Sequence, residues 1–200
     1  ANLTAQITWK KGEPIPYAAV VDTFEKVSKV SGRLEKESLF KKLFQSVILT
    51  TPQELEAVVY LVANEVAPSY EGLELGIGDS LLVKAVCEAT GRNKGGVEED
   101  YQREGDLGTV ALLSRSKQST LSFAAKPKPL LAKHVLEQFR LITQTKGDKS
   151  QSRKIAILKG LMIKCVGEEA KYIVRAMQGK LRIGSAKGTY LVSLAHAFAE

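Results

Sequence analysis

The segment 179–184, Gly-Lys-Leu-Arg-Ile-Gly, carries the residue pattern best suited to binding chemistry in this chain. Lys180 and Arg182 are two residues apart, and alternate residues of an extended loop face the same side, so both cations are predicted to point outward. Leu181 and Ile183 would then anchor the loop on the core. The bounding glycines permit positive φ and close approach of the backbone to a ligand. The pattern favours a polyanion over a small substrate, although a helix C-cap followed by a solvated turn would give the same residues.

Charge is distributed unevenly along the chain. Residues 1–113 contain 12 lysines and arginines against 17 aspartates and glutamates, a net charge of −5, whereas residues 114–200 contain 17 against 5, a net charge of +12. A basic half joined to a mildly acidic half indicates that one face of the molecule meets phosphates. Aromatic residues form 6% of the chain and do not alternate with the basic ones, which argues against a platform that stacks single-stranded bases.

Several functional classes find no support in the sequence. No apolar run is long enough to span a membrane, and the N-terminus lacks the build of a signal peptide. Cys87 and Cys165 lie in helical patterns, so buried free thiols are expected rather than a disulfide. His134 and His196 are far apart, and no Cys or His cluster suggests a zinc site. No motif of a serine hydrolase or a zinc protease occurs. We therefore interpret the chain as a binding module.

Apolar residues recur with helical spacing through most of the chain, and few segments alternate with period two. The sequence therefore predicts an all-α fold, a compact assembly of about ten helices. Residues 51–54, Thr-Pro-Gln-Glu, have the pattern of a capping box, and the helix they open should end before Pro68. Asp106 is predicted to cap a short helix that ends at Leu113. Helix lengths are irregular and no repeat period recurs, which argues against a solenoid.

The longest non-periodic segment in the middle of the chain begins at Ser114 and runs to residue 131. It marks the change in charge and divides a single 1–200 domain into two candidate halves, 1–113 and 132–200. The segment could be a solvated linker, or a loop whose small hydroxyls and cations grip a phosphate backbone. Its composition alone favours the linker.

Three glycines within residues 72–78 precede a predicted helix, which invites comparison with a phosphate-binding loop. The segment lacks the Gly-Lys-Ser/Thr ending, and Leu81 stands where a dinucleotide fingerprint requires its third glycine. A tight turn that leads into a buried helix is the preferred interpretation.

Three groups of short segments occur together in this order: 72–79 with 89–92, 105–108 with 114–116, and 159–161 with 179–184. This combination closely resembles the N-terminal DNA-binding domain of eukaryotic ATP-dependent DNA ligase I, with archaeal ligases more distant. The resemblance covers nearly the whole chain, from Trp9 to the last helix. Its specific parts are 72–92 and 179–184, whereas the helical remainder would identify no family.

The resemblance implies an all-α domain that grips nicked duplex DNA from the minor-groove side. Such a domain helps a nucleotidyltransferase domain and an OB-fold domain to close around the break. It also implies a second loop that contacts the DNA backbone, which overturns the linker interpretation at 114–117. The residues implied for the minor-groove loop are Gly179, Lys180, Arg182, Gly184 and Ala186, with Lys187 beside them, and those for the second loop are Ser114, Arg115, Ser116 and Lys117.

Two positions depart from the family pattern. Lys180 replaces the arginine that is more usual there and loses the planar fork suited to narrow grooves. Lys187 stands where an acidic residue is common, which should strengthen phosphate attraction and could alter the start of the last helix. The family's nucleophile is a lysine in a Lys-x-Asp-Gly motif. The nearest match, residues 146–148, continues with Lys149 instead of glycine, so we reject it.

The chain is therefore expected to be a non-catalytic part of a ligase. We expect no cofactor in this chain, whereas ATP and Mg²⁺ would serve the parent enzyme. The expected partners are nicked double-stranded DNA and the nucleotidyltransferase and OB-fold domains of the same polypeptide, with no membrane and a monomeric state. A nuclear location is expected, and an organellar form is left open. The rival interpretations are a basic helical scaffold that docks an acidic protein, and a small catalytic domain.

Overall fold

The structure, a computed structural model, describes residues 8–119 and 128–199. Ten α-helices occur in these two ranges, with short 3₁₀ turns at Pro52–Glu54 and Ser69–Glu71. The helices are α1 (Tyr17–Lys29), α2 (Arg33–Thr50), α3 (Leu55–Ala63), α4 (Asp79–Thr90), α5 (Lys94–Glu104), α6 (Leu107–Ser119), α7 (Ala132–Gln144), α8 (Ser150–Lys164), α9 (Glu169–Met177) and α10 (Lys187–Ala199). The described ranges contain one isolated antiparallel bridge, between Pro16 and Leu131, and no strand. The predicted all-α class is confirmed.

The helices pack in pairs that are distant in sequence. The three most extensive pairings are α2 with α10, α6 with α9, and α4 with α8, and α3 also packs against α7. Each joins a helix that ends by residue 119 to one that begins at residue 132 or later. Phe24, Phe40, Phe139 and Tyr172 are fully buried in the single core that results, so both sides of segment 114–131 contribute to it.

The two cysteines form no disulfide, as the sequence predicts. Cys165 is buried, Cys87 is partly buried, and both are free thiols. Within the described ranges, we find no helix that combines the length and the apolar character of a membrane span.

The capping box expected at residues 51–54 is wrong. The Thr51 hydroxyl donates to the carbonyl of Glu13 at 2.6 Å, and the Glu54 carboxylate accepts from the amide of Ile15 at 2.9 Å. Both side chains therefore fasten the N-terminal segment to the start of α3 instead of capping that helix. Helix α3 also ends earlier than predicted, because Asn64 adopts a left-handed conformation with φ of 54°.

Helix α6 begins as predicted but is longer than expected. Asp106 accepts from the Gly108 amide at 3.1 Å and from the Thr109 hydroxyl at 2.7 Å, so its capping role is confirmed. The helix continues to Ser119 rather than ending at Leu113, so the non-helical segment predicted from Ser114 is wrong for residues 114–119. The Ser114 hydroxyl donates to the Val110 carbonyl at 2.6 Å, which satisfies it within the helix. Residues 120–127 lie outside the described ranges.

Candidate nucleic-acid interface

The basic loop begins at the C-terminal end of α9. The Gly179 amide donates to the Ala176 carbonyl at 3.0 Å, and the Lys180 amide donates to the Arg175 carbonyl at 3.1 Å. With Gly179 at φ +81°, this is a Schellman motif, which terminates a helix at a left-handed glycine. The Asn64 side chain from the end of α3 also donates to the Ala176 carbonyl, at 3.3 Å. The loop therefore starts from a fixed direction.

The loop shows the predicted alternation of exposed and buried residues. Leu181 and Ile183 are 9% and 7% exposed, whereas Lys180 and Arg182 lie on the surface. The backbone departs from a simple extended strand at Arg182, whose φ is +56°. A left-handed conformation costs a non-glycine residue about 1–2 kcal/mol, so contacts around the loop must maintain it.

Asp106, at the start of α6, provides one of these contacts. Its Oδ2 accepts from Arg175 Nη2 at 2.6 Å and from Arg175 Nε at 3.0 Å. Its Oδ1 lies 4.0 Å from Arg182 Nε. Burial acts to raise the pKa of Asp106, but hydrogen bonds from Arg175 and Thr109, together with the charge of Arg175, hold that pKa below its usual value. Asp106 is therefore ionised at neutral pH and supports the loop from beneath.

The far end of the loop is held by α2 and by the start of α10. The Lys36 ammonium, on α2, donates to the Gly184 carbonyl. Lys187, the first residue of α10, pairs with Glu65 at 3.1 Å. The Ser185 hydroxyl between them is buried and has no hydrogen-bond partner among the described residues. Gly184 has φ +62°, so the predicted positive φ is confirmed at both bounding glycines.

An open groove of about 760 Å³ runs beside this loop. It is lined by the loop, by the start of α10 and by the end of α3, with Phe40 and Tyr190 as apolar members. Their rings pack edge to face, with centroids 6.5 Å apart. The other lining residues are Val62, Ala63, Asn64, Glu65, Gly179, Lys180, Leu181, Arg182, Ile183, Gly184, Ser185, Ala186 and Lys187. All six residues that the resemblance implied for the minor-groove loop are thus brought together at one groove.

The second implied segment has a different local structure. Ser114 is 1% exposed, and its hydroxyl accepts from Arg92 Nη1 at 2.9 Å. Arg115 Nη2 donates to the carbonyls of Ile163 and Cys165, at 2.9 and 3.4 Å, where α8 ends. Ser116 is exposed. The side chain of Lys117 lies outside the described part of the structure.

The two implied segments lie at opposite ends of α6. Asp106 supports the basic loop at the N-terminal end, and Arg115 follows nine residues later. With a rise of 1.5 Å per residue, about 13 Å of helix separates them. The structure therefore gives one continuous surface loop and a separate helical segment, in place of two loops.

Sequence reasoning did not identify several residues that hold the loop. Lys36 and Arg175 occur in helical patterns with no local signal, and Asp106 was recognised as a helix cap alone. Lys36 contacts Gly184, which is 148 residues away in sequence. Asp106 contacts Arg175 and Arg182, which are 69 and 76 residues away. Across the described ranges, no group of three or more His, Cys, Asp and Glu side chains is arranged to hold a metal ion.

The fold and this interface define an all-α domain that presents a basic, glycine-bounded loop at the edge of an open groove. The family profile described as DNA ligase N terminus matches residues 16–195. The chain belongs to the family of N-terminal domains of ATP-dependent DNA ligases. The family resemblance noted in the sequence is thereby confirmed.

Individual relatives agree with this assignment. The chain is 41% identical over 189 residues to DNA ligase 1 of Arabidopsis thaliana and 39% identical over 187 residues to DNA ligase 1 of Dictyostelium discoideum. Both alignments cover 94% of this chain, but 24% and 15% of the respective relatives. DNA ligase 2 of Thermofilum pendens is 35% identical over 190 residues, which cover 92% of this chain and 31% of that relative. The chain thus spans less than a third of the length of these relatives.

Proposed function

We propose that this domain binds nicked duplex DNA through its phosphate backbone and minor groove, and positions the break for sealing. The observation that carries the proposal is the loop 179–187. Its apolar residues are buried, its cations are exposed, and its backbone is fixed at both ends. A loop fixed in this way loses little entropy when it binds a polyanion. The family assignment supports a role in DNA ligation.

Binding should depend little on base sequence. The minor groove presents a degenerate pattern of donors and acceptors, and cations that contact phosphates carry no sequence information. The proposed contacts of the loop are Lys180, Arg182 and Lys187, with main-chain amides near Gly179, Gly184 and Ala186. At the other end of α6, Arg115, Ser116 and Lys117 are proposed to contact the backbone of the same duplex. Ser114 would support them from inside, through Arg92.

The remainder of the reaction is proposed to belong to the parent polypeptide. A nucleotidyltransferase domain and an OB-fold domain would use ATP and Mg²⁺ to seal the break, while this domain holds the duplex as a monomer. The relatives from Arabidopsis thaliana and Dictyostelium discoideum compared above are named DNA ligase 1, which supports a proposed role in nuclear DNA replication and repair.

Fluorescence anisotropy with nicked and intact duplexes of two unrelated sequences tests this proposal. Titrations across a salt series should show log affinity falling linearly with log salt, at a slope of about −0.9 for each phosphate contacted. Lys180→Ala/Arg182→Ala should bind both sequences more weakly and reduce the slope by up to about 2. The control Lys26→Ala/Lys29→Ala removes the same charge from α1. It should keep the wild-type salt slope and lose only a little affinity, equally for both sequences.

The outcomes separate the two classes of function. Tighter binding of the nicked duplex ties the domain to ligation. Equal losses in the loop variant and the α1 control would contradict the loop assignment. Absence of binding even at low salt would contradict DNA binding itself, and the basic half would then be the docking surface for an acidic protein.

A further inference from the structure

Asp106 connects three elements that meet beneath the basic loop. Its main-chain position begins α6, its Oδ2 pairs with Arg175 of α9 at 2.6 Å, and its Oδ1 lies 4.0 Å from Arg182 of the loop. Its side chain is 8% exposed, and that of Arg175 is 13% exposed. Arg175 Nη1 also donates to the Leu181 carbonyl at 3.4 Å, so the same ion pair contacts the loop backbone.

The side chain of Arg182 is only partly covered by the protein. Nε is its closest nitrogen to the carboxylate, so both Nη groups lie farther from Asp106. The side chain is 46% exposed. The negative charge of Asp106 is already balanced by Arg175, which sits at direct hydrogen-bonding distance. The three side chains together carry one net positive charge, and that charge is on the exposed side.

We propose that Asp106 is a positioning residue for DNA binding, which holds Arg182 in its left-handed conformation with the Nη edge directed away from the protein. The proposal rests on the proposed function and adds to it a residue that does not itself contact DNA. Arg182 has φ +56°, and the carboxylate contact at its Nε opposes relaxation to a more common conformation. Pre-organised cations bind phosphates more tightly because less side-chain entropy is lost on binding.

Replacing Asp106 by asparagine distinguishes positioning from simple electrostatics, because the two effects have opposite signs. Asp106→Asn removes a negative charge near the loop, which by Coulomb attraction alone would tighten DNA binding. If Asp106 positions Arg182, the same variant binds DNA more weakly. Asparagine keeps one oxygen, which at the Oδ1 position can still accept from the Gly108 amide, so this capping hydrogen bond of α6 is retained. Its NH2 group replaces Oδ2, the oxygen that accepts from Thr109 and Arg175.

Asp79→Asn is a matched control for the change in charge. Asp79 begins α4 and accepts from Tyr101 at 2.8 Å and from Gln178 at 3.0 Å, so it also lies close to the end of α9. The described residues give it no ion pair with Arg182 within 4.0 Å. Its removal should leave DNA affinity unchanged or slightly higher.

The test is a double-mutant cycle with Asp106→Asn, Arg182→Ala and the combined variant, measured by anisotropy with nicked duplex and accompanied by thermal melts. Asp106→Asn should weaken binding by about tenfold in the wild-type background and by less than about twofold in the Arg182→Ala background. Its salt slope should fall by about 0.9, as for Arg182→Ala, because one phosphate contact is lost. A loss of fold alone would lower the melting temperature without this coupling.

Each outcome decides the proposal. Equal losses in both backgrounds, or tighter binding by Asp106→Asn, would overturn the positioning role while leaving DNA binding intact. If the wild type does not bind DNA, both proposals fail. If Asp106→Asn does not fold, Arg182→Lys replaces it, because lysine keeps the charge but has no Nε for Asp106 to hold. Wild-type affinity in Arg182→Lys would overturn the proposal. A loss of affinity in which the salt slope also falls by about 0.9 would support it, whereas a loss with the wild-type slope reports only the missing planar fork and would overturn it.

Discussion

Arg182 combines an exposed guanidinium with a backbone conformation that is unfavourable for its residue type. Glycine adopts φ +56° without the clash between Cβ and the carbonyl oxygen that destabilises other residues there. Residues held in such conformations are concentrated at functional sites, where the surrounding structure maintains them. An arginine at this position therefore lowers the stability of the fold, because its backbone is held in the left-handed conformation.

Arg182→Gly is predicted to be more stable than Arg182→Ala. Both variants lose the guanidinium, but glycine also removes the left-handed strain. Glycine has more conformational freedom in the unfolded chain, which offsets part of this gain, so the net difference in stability is about 1 kcal/mol. The expected difference in melting temperature is about 2–4 °C, measured by differential scanning calorimetry. Both variants should bind DNA equally weakly. A lower melting temperature for the glycine variant would show that residue 182 is not strained in solution.

Glu169 is a buried carboxyl at the start of α9, and it lies outside the proposed interface. It is 2% exposed, and the amide of Val166 donates to its Oε1 at 3.4 Å. Its Oε2 has no hydrogen-bond partner among the described residues. Burial raises the pKa of Glu169 to about 7, and the hydrogen bond from Val166 opposes the shift. Its titratable neighbours are Tyr17 and Cys165, whose own pKa values are raised by burial.

This carboxyl should make the protein less stable as pH rises from about 4.5 to 7. A raised pKa means that the folded state binds the proton more tightly than the unfolded state, whose pKa is near 4.5. The contribution of Glu169 to the free energy of unfolding is therefore largest below pH 4.5 and is lost as pH rises through 7. We expect a loss of roughly 3 kcal/mol across this window.

Glu169→Gln tests the pH dependence, because glutamine has the same shape but does not ionise. Urea denaturation at pH 5 and pH 8 should give a smaller difference in unfolding free energy for this variant than for the wild type. Asp106 and Glu25 do not obscure the window, because their pKa values are lowered and their stabilisation is lost only at more acidic pH. Parallel pH profiles for the two proteins would contradict the assignment to Glu169.

At the scale of elements, the basic loop depends on the close packing of α6 against α9. Gly108, in the first turn of α6, makes this approach possible. A Cβ at this position would lie 2.6 Å from the Lys171 carbonyl oxygen and 2.8 Å from Arg175 Cγ. Any larger residue must therefore move the two helices apart and carry Arg175 away from Asp106.

Gly108→Ala is predicted to destabilise the fold by about 2 kcal/mol, since overpacking outweighs the better helix propensity of alanine. Gly160→Ala is the matched control, because a Cβ at Gly160 on α8 would meet open space. That variant should gain stability, by up to about 1 kcal/mol. Chemical denaturation of the two variants checks both signs. A neutral Gly108→Ala would show that α6 and α9 can separate without cost.

The elements themselves were largely predictable from the sequence, because helical periodicity depends on neighbouring residues. The alternation of Leu181 and Ile183 with the two cations was predictable for the same reason. The helical continuation of α6 through Ser114 was missed, because residues 114–119 are all polar and give no apolar periodicity. The Ser114 hydroxyl accepts a hydrogen bond from Arg92, which lies just before α5 and is 22 residues away in sequence.

The supports of the loop were not predictable from local pattern. Lys36 reaches Gly184 from another helix, and Asp106 reaches Arg175 across the α6–α9 interface. Such contacts are determined by tertiary packing, which a single sequence does not display. The left-handed conformation of Arg182 was missed for the same reason, since nothing in its residue type favours it.

At the scale of the whole molecule, the order of helices along the chain determines how it must fold. Each of the three most extensive helix pairings, and that of α3 with α7, joins a helix that ends by residue 119 to one that begins at residue 132 or later. The buried face of α2 covers α10, and that of α6 covers α9. A fragment that ends at residue 119 would therefore expose the apolar faces of four helices at once.

Fragments 1–119 and 128–200 are predicted not to fold separately but to form a folded complex when mixed. Each alone should lack the near-ultraviolet circular dichroism of packed aromatic residues, because Phe40 and Tyr190, and likewise Phe24 and Tyr172, come from opposite fragments. The mixture should recover that signal and then bind nicked DNA, since Asp106 and Arg182 are also divided between the two fragments. The intact chain should accordingly unfold in one cooperative transition. A folded isolated fragment, or two separate transitions in the intact chain, would show that the halves are independent units.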